Sequence, residues 1–389
     1  MAGRAEVSGP VADTFWTWRD VMYRFALTMD PDQLEAVATL ACVEMLESGF
    51  TRVGEFHYLH HDRDGSPYAD VAEMASRIGA ASAHTGIRLT LLPAFYAHAT
   101  FGGALPLPKQ RRFINDLDRF AHLLRASEDA IAGLDGAVLG IAPHSLRAVT
   151  PGELDGLLEM ASPSPIHIHA AEQEKEVDDC LAWSGQRPVE WLLDHAPVDG
   201  RWCLIHATHM TERESGALAK SGAVAGLCPV TEANLGDGAF PAVAYLAAGG
   251  EFGIGTDSNV RIGVADELRQ LEYAQRLVRR GRNVLATERA ATGRSLFEAA
   301  FNGGQQALGA TTLGIAVESP ADLVALASDS WEGSDGDALL NGWIFARGVA
   351  VSDVWVAGRR VVHEGRHLLR DAATNRFRST MRELLADQG

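Results

Sequence analysis

Three short motifs in this chain carry residue types that can do hydrolytic chemistry, and they come in a fixed order. They are His-Ile-His-Ala-Ala-Glu at 167–172, Ile-His-Ala at 205–207 and Gly-Thr-Asp-Ser-Asn at 255–259. On a strand, His167 and His169 point to the same face, because side chains repeat every two residues. Glu172 follows where that strand gives way to its loop. An imidazole beside a carboxylate suits a metal hydrolase, with one group to bind the ion and one to move the proton of a water. His206 and His209 follow a second apolar run, and Asp257 follows Phe-Gly-Ile-Gly-Thr. A carboxylate at the end of an apolar strand is costly to bury unless it is paired or bound to a metal. Each motif alone has a structural alternative: a hydrogen-bonded core histidine, a helix-capping glutamate or a turn aspartate. The three together read as most of a metal hydrolase site.

The segments that must position these residues are apolar, strand-like runs alternating with helical patterns. Thr51–His57, Ile87–Phe95, Ala137–Pro143, Ile166–Ala170, Trp202–Thr208, Ala223–Pro229 and Phe252–Asp257 read as strands. A helix starts at Asp30 as N-cap, with Pro31 at the first helical position and Gln33 completing a capping box. Its apolar face runs Leu34, Val37, Ala38, Ala41 and Met45, and Gly49 ends it. A second reads over Arg111–Leu124, with Ile114, Leu117, Phe120, Ala121 and Leu124 on one stripe. Such alternation means a parallel β/α barrel or a doubly wound sheet. The polar residues sit after many different strands, at Tyr58, His144, Glu172, His206 and Asp257. That distribution favours the barrel, since a doubly wound sheet gathers its contacts at one switch point.

After Pro320 the pattern changes. Ala321–Ala327 and Val354–Val362 read as strands with Gly358 in a turn and no long helix between them, and a last helix falls near Phe377–Leu385. The expected organisation is a catalytic domain over residues 1–320 and a small β-rich domain over 321–389. No internal repeat or low-complexity stretch is present.

Composition narrows the classes of partner. The 389 residues carry a net charge of −17, which argues against nucleic acid or an anionic membrane. A small anionic substrate is compatible with it, because a few arginines dominate inside a pocket. Cys42, Cys180, Cys203 and Cys228 are widely spaced, so neither a disulfide framework nor a zinc knuckle is expected. A reducing cytoplasm is the simplest setting. The N-terminal stretch has no apolar core of a signal peptide, and no run approaches the roughly 18 apolar residues of a membrane span.

Longer stretches carry a resemblance. These are Phe-Trp-Thr-Trp-Arg at 15–19, Gly-Glu-Phe-His-Tyr-Leu-His-His-Asp at 54–62 and Ala-Pro-His-Ser-Leu-Arg-Ala-Val at 142–149. They continue with His-Ile-His-Ala-Ala-Glu-Gln-Glu-Lys-Glu-Val at 167–177, Cys-Pro-Val-Thr-Glu-Ala-Asn-Leu-Gly-Asp-Gly at 228–238 and Gly-Thr-Asp-Ser-Asn-Val-Arg-Ile at 255–262. With them the chain resembles the amidohydrolase superfamily, in its mononuclear zinc deaminase branch, and within that branch the formimidoylglutamate deiminases. The resemblance covers nearly the whole chain. It implies an α/β fold, a (β/α)8 TIM-like barrel of the amidohydrolase type with the small β-rich domain beside it.

It also implies roles. His169 and Asp257 would be metal ligands for one Zn2+ per chain, a site that Fe2+ or manganese could share. Glu172 would shuttle protons between the attacking water and the leaving nitrogen, and His206 would polarise the attacking group. Catalysis would thus rest on Glu172, His206 and Asp257. Tyr58, His144 and Arg147 would hold the substrate, with the Arg147 fork gripping a carboxylate. The implied reaction is deimination of N-formimino-L-glutamate to N-formyl-L-glutamate and ammonia, in histidine degradation, by a homodimer. The rivals are deamination of a cyclic base or of another guanidino or imino compound, and ligand binding without catalysis.

In that family the first barrel strand carries a His-x-His pair that binds zinc, and Met1 stands where the family sequence continues shortly after it. The expectation is a native chain that begins upstream. His169 and Asp257 alone are two ligands where catalytic zinc has at least three, and a barrel lacking its first strand has open edges. An inactive, shortened relative is the alternative.

Other residues are weighed and set aside. His57, His60 and His61 read as solvated or hydrogen-bonded rather than as a second metal site. Arg261 reads as a surface residue, Trp16 and Trp18 as packing residues. Glu232, Asn234 and Asp237 read as residues that shape a loop.

Overall fold

The computed structural model describes residues 6, 14–161, 163–310, 314–328 and 336–386. The chain forms two compact units. The first comprises residues 1–43, 52–168 and 369–389, and the second residues 44–51 and 169–368. This grouping does not follow a boundary at Pro320, since the C-terminal helix Arg370–Ala386 belongs with the first unit and the β-rich segment with the second.

The sequence-expected strands are present. In the first unit β1 (Arg52–His57) pairs in parallel with β2 (Arg88–Phe95), and β2 pairs in parallel with β3 (Val138–Leu139) and β4 (Ala142–Pro143). The third expected strand is therefore broken in two. Gly140 lies at the break, where an added Cβ would come within 2.8 Å of the Pro165 carbonyl. β5 (Ile166–Ala170), β6 (Trp202–His206), β7 (Val224–Leu227) and β8 (Glu251–Ile254) form a second sheet in that order, with β6, β7 and β8 parallel. Strands buried on both faces read as continuous apolar runs, as these do.

Helices fill the intervals. Pro31–Glu47 has the expected capping box: the Gln33 backbone N–H donates to Asp30 Oδ1 at 2.8 Å, and the Asp30 N–H donates to Gln33 Oε1 at 3.1 Å. Its buried apolar side chains are Ala36, Leu40, Cys42, Val43, Met45 and Leu46, of which only Met45 belongs to the expected stripe. The second expected helix starts later than read. Pro108–Gln110 is a single 3-10 turn, and the α-helix runs Leu117–Ile131 behind Asp116, whose side chain caps the Arg119 N–H. Its buried stripe is Phe120, Leu123, Ser127 and Ile131 rather than one through Ala121 and Leu124.

In the second unit, close helix–strand approach is set by glycine. Gly303, in the helix Thr292–Ala307, lies against β8 so closely that a Cβ would stand 2.1 Å from the Phe252 carbonyl oxygen.

The β-rich segment is a four-stranded antiparallel sheet of order β12-β11-β10-β9, from β9 (Leu323–Ala327), β10 (Ala350–Val356), β11 (Arg359–His363) and β12 (Arg366–His367). Gly358, at φ +75°, makes the expected turn. Where no long helix was expected between these strands, a ten-residue one, Gly336–Phe345, is present, an apolar segment that buries Leu340, Trp343 and Ile344. The last helix is also longer than read, at Arg370–Ala386. Among the described residues, no helix is long and apolar enough to cross a membrane.

Candidate active site

The carboxyl ends of β5, β6, β7 and β8 bring Glu172, His206, Glu232 and Asp237 into one buried group of the second unit, with Asp257 acting on it electrostatically. Backbone conformation marks the place. Ala171, His206, Ala207 and Asp257 have φ of +52°, +68°, +48° and +38°, values that non-glycine residues adopt only where surrounding structure imposes them. The imposing contacts are visible. The Ala207 N–H donates to Ala170 O, and the His209 N–H to Ala171 O, both at 3.0 Å. Glu176, in the first turn of Glu174–Ser184, accepts from the backbone N–H groups of Ala171 at 3.3 Å and Glu172 at 3.0 Å. The Glu172 loop is thus clamped by a second carboxylate.

His206 is fully buried between two carboxylates. Its Nδ1 is 3.3 Å from Glu232 Oε1, and its Nε2 is 3.5 Å from Glu172 Oε1. A carboxylate only accepts, so Nδ1 carries the hydrogen toward Glu232. Glu232 itself is held by the Cys228 N–H, which donates to Oε1 at 2.9 Å. Burial alone would lower the His206 pKa, but the charges of Glu172, Glu232 and Asp257 outweigh it and push it up to about 10. Burial and the neighbouring carboxylates raise Asp257 to about 6 and Asp237 to about 8, opposed in each case by His206.

Among the described residues, Glu172, His206 and Asp237 have ligand atoms within 4.8 Å of one another, a spacing that can hold an ion. His169 and Asp257 are not in that triplet but adjoin it: the His169 and His206 rings are 5.5 Å apart, and Asp257 acts electrostatically on His206. The donor set fits a divalent ion. The carboxylates of Glu172, Glu232 and Asp237 are buried around the imidazole, Asp257 adds its charge, and the His206 Nε2 atom has no hydrogen-bond partner. A bound dication is the largest local charge in such a site and inverts these upward carboxylate shifts.

The three expected substrate-binding residues group in the first unit. His144 makes ring contacts with Tyr58 at 6.1 Å and with Tyr96 at 4.6 Å. Its Nδ1 lies 3.1 Å from Ser145 Oγ, to which Arg147 Nε also donates at 3.3 Å. Arg147 is buried. The Tyr96 hydroxyl, reached by Gln110 Nε2 at 2.8 Å, extends this polar set.

Several residues read differently in three dimensions. Glu232 and Asp237 are members of the buried group, not mere shapers of their loop. The only signal in the sequence was two acids within a strand-end loop that also carries Gly236 and Gly238. Of the two readings of His57, His60 and His61, burial of all three removes the solvated one, and the hydrogen-bonded one holds for His60 Nε2 on Ala94 O and His61 Nε2 on Ile114 O, each at 2.9 Å. Arg261 pairs with Asp266 at 2.6 Å and is largely exposed, as expected of a surface residue. All four cysteines are free and buried.

Residues 3–361 match the amidohydrolase family. The chain is similar to a formimidoylglutamate deiminase of Pseudomonas aeruginosa, with 51% identity over 99% of this chain and 86% of the relative. It is similar in structure to an amidohydrolase from Brucella melitensis, with a TM-score of 0.98, 59% identity and coverage of 99% of this chain and 86% of the other. An adenosine deaminase from Xanthomonas campestris has the same fold, with a TM-score of 0.80 at 24% identity, covering 96% of this chain and 81% of that one. The α/β fold class is thereby the amidohydrolase-type barrel, and the family is metal-dependent. A chain with this order of strand-end ligands, matched over nearly its whole length, belongs to the amidohydrolase family.

Proposed function

We propose that this protein deiminates N-formimino-L-glutamate. Water adds to the formimino carbon, the carbon–nitrogen bond breaks, and ammonia and N-formyl-L-glutamate leave. The observation that carries this reading is the near-full-length similarity to a formimidoylglutamate deiminase, together with the buried group that includes Glu172 and His206.

His169 and Asp257 would hold the metal, most simply one Zn2+, with Fe2+ as the other candidate. When bound, the ion supplies Lewis acidity and lowers the pKa of water toward about 7. Glu172, held in place by Glu176, takes a proton from the attacking water and delivers one to the leaving nitrogen. His206, oriented by Glu232, presents Nε2 to the charge that develops at the reacting carbon. In the first unit, Tyr58, His144 and Arg147 hold the substrate, and the guanidinium of Arg147 takes a carboxylate in bidentate fashion. The partner is a small acidic molecule, not nucleic acid or a membrane; the setting is the cytoplasm and histidine degradation, and the assembly is a homodimer.

The test is ammonia release by the purified protein from N-formimino-L-glutamate, guanine and cytosine. The expected result is one ammonia and one N-formyl-L-glutamate per formiminoglutamate consumed, and none from the bases. Release from a base instead, or ligand binding that is indifferent to chelators with no turnover, overturns the reading.

A further inference from the structure

Glu172 and His206 have roles above, whereas the third member of their close triplet, Asp237, has none. Asp237 is 4% exposed. Its backbone N–H donates to Glu232 O at 2.9 Å, and its Oδ1 accepts from Gln173 Nε2. Its Oδ2 is buried with no hydrogen-bond partner. Gly236 and Gly238 flank it at φ +71° and +126°, and a Cβ on Gly238 would meet the side chains of Thr208 and His209 at 3.4 and 3.5 Å. Two glycines and a glutamine therefore fix one carboxylate, with one oxygen left over, in the group that contains Glu172 and His206. Leaving such an oxygen unpaired is costly. The ionisable neighbours that act on it most, besides His206, are the carboxylates Glu172, Glu232 and Asp257. His206 already stands between Glu172 and Glu232. No lysine or arginine is among these neighbours, so Asp237 Oδ2 is left facing carboxylates and one imidazole that two of them already share.

An acyclic formimino group is an amidine, a strong base that carries its proton at neutral pH. We propose that Asp237 binds the nitrogen of that amidinium, the one that leaves as ammonia, and so selects cationic amidines over neutral formamides of the same shape. This deepens, and rests on, the reading of the chain as a formiminoglutamate hydrolase. It has a consequence for the product. N-Formyl-L-glutamate presents a carbonyl oxygen where the substrate presented an N–H donor. Two acceptors then face each other, which favours release.

The test compares wild type with Asp237→Asn, a neutral isostere. The measurements are KM for N-formimino-L-glutamate, the dissociation constant of N-formyl-L-glutamate by calorimetry, and metal per chain. The expected result is a KM raised at least about tenfold, since a charge-assisted hydrogen bond contributes about 1.5–3 kcal/mol, with formylglutamate bound as tightly or more tightly and metal content unchanged. Both constants moving by the same factor, neither moving, or loss of the metal would each overturn the proposal. If Asp237→Asn does not fold, Gln173→Leu frees Oδ1 and must move the ratio of the two constants in the same direction, by less; an unmoved ratio overturns the proposal. Absence of turnover by wild type defeats the functional reading and this proposal together, whereas turnover with an unmoved ratio defeats this proposal alone.

Discussion

Glu232 Oε1 accepts from both the Cys228 backbone N–H, at 2.9 Å, and His206 Nδ1, at 3.3 Å. The backbone N–H that follows β7 thereby fixes the orientation of a histidine ring at the end of β6. Orientation of a reacting imidazole by a buried carboxylate recurs wherever the other ring nitrogen must be kept free for chemistry. Glu232→Ala should lower kcat by about 10- to 100-fold. Glu232→Gln should recover part of that loss, because an amide oxygen can still accept from Nδ1. Steady-state kinetics with metal content measured alongside checks this. An unchanged kcat in both variants would remove Glu232 from the mechanism.

Arg147 is buried and its Nε is anchored on Ser145 Oγ. Arg147→Lys keeps the charge and loses the planar fork. It should raise KM for the acidic substrate by about 10- to 100-fold, with a smaller change in kcat. A KM within twofold of wild type would exclude Arg147 from substrate binding.

Prolonged chelation should abolish ammonia release and lower Tm by several degrees, and stoichiometric Zn2+ should restore both. The sign follows from the carboxylates: removal of a dication leaves the buried Asp237 and its neighbour Asp257 with raised pKa and uncompensated. A ligand held at 100 times its Kd contributes about 2.7 kcal/mol. Scanning calorimetry with and without chelator measures the shift, and an unchanged Tm would contradict it.

Stability should fall on the acid side because of His57 and His60. Burial pulls His57 from 6.5 down to about 4, and burial with the neighbouring His57 pulls His60 well below its ordinary value. Between those pH values the unfolded chain binds more protons than the folded one. Stability from this source is therefore complete above about pH 6.5 and is lost as pH falls toward 4. By pH 5.5 the loss should be on the order of 1 kcal/mol per histidine. Urea midpoints at pH 7.5 and 5.5 measure it, and His57→Gln should flatten the difference.

Gly303→Ala should destabilise by about 1–3 kcal/mol, since its Cβ would stand 2.1 Å from the Phe252 carbonyl oxygen and the helix must move off β8. Because β8 leads to Asp257, kcat should fall as well. A variant as stable as wild type would mean the helix has room to shift.

Much of the fold was legible in the sequence because it depends on local periodicity and turn chemistry. The apolar runs that became β1, β2 and β5–β8, the Asp30–Gln33 capping box and the Gly358 turn needed no tertiary information. The late start of the helix at Leu117 did, because the apolar spacing read over 111–124 is compatible with a helix from its first residue, whereas the helix begins behind its N-cap Asp116. His169, Glu172, His206 and Asp257 were legible because each stands at the end of an apolar strand, where polar side chains are costly without a purpose. Glu232 and Asp237 were not. Their loop sequence is compatible with surface glutamate and aspartate, and periodicity says nothing of a residue outside a strand or helix. Only the tertiary structure, by turning the chain at Gly236 and Gly238 and closing it onto His206 and Gln173, decided that these two acids are buried beside Glu172 and His206. A strand fixes the direction of its side chains by its own repeat, whereas a loop acid takes its direction from whatever it meets across the fold.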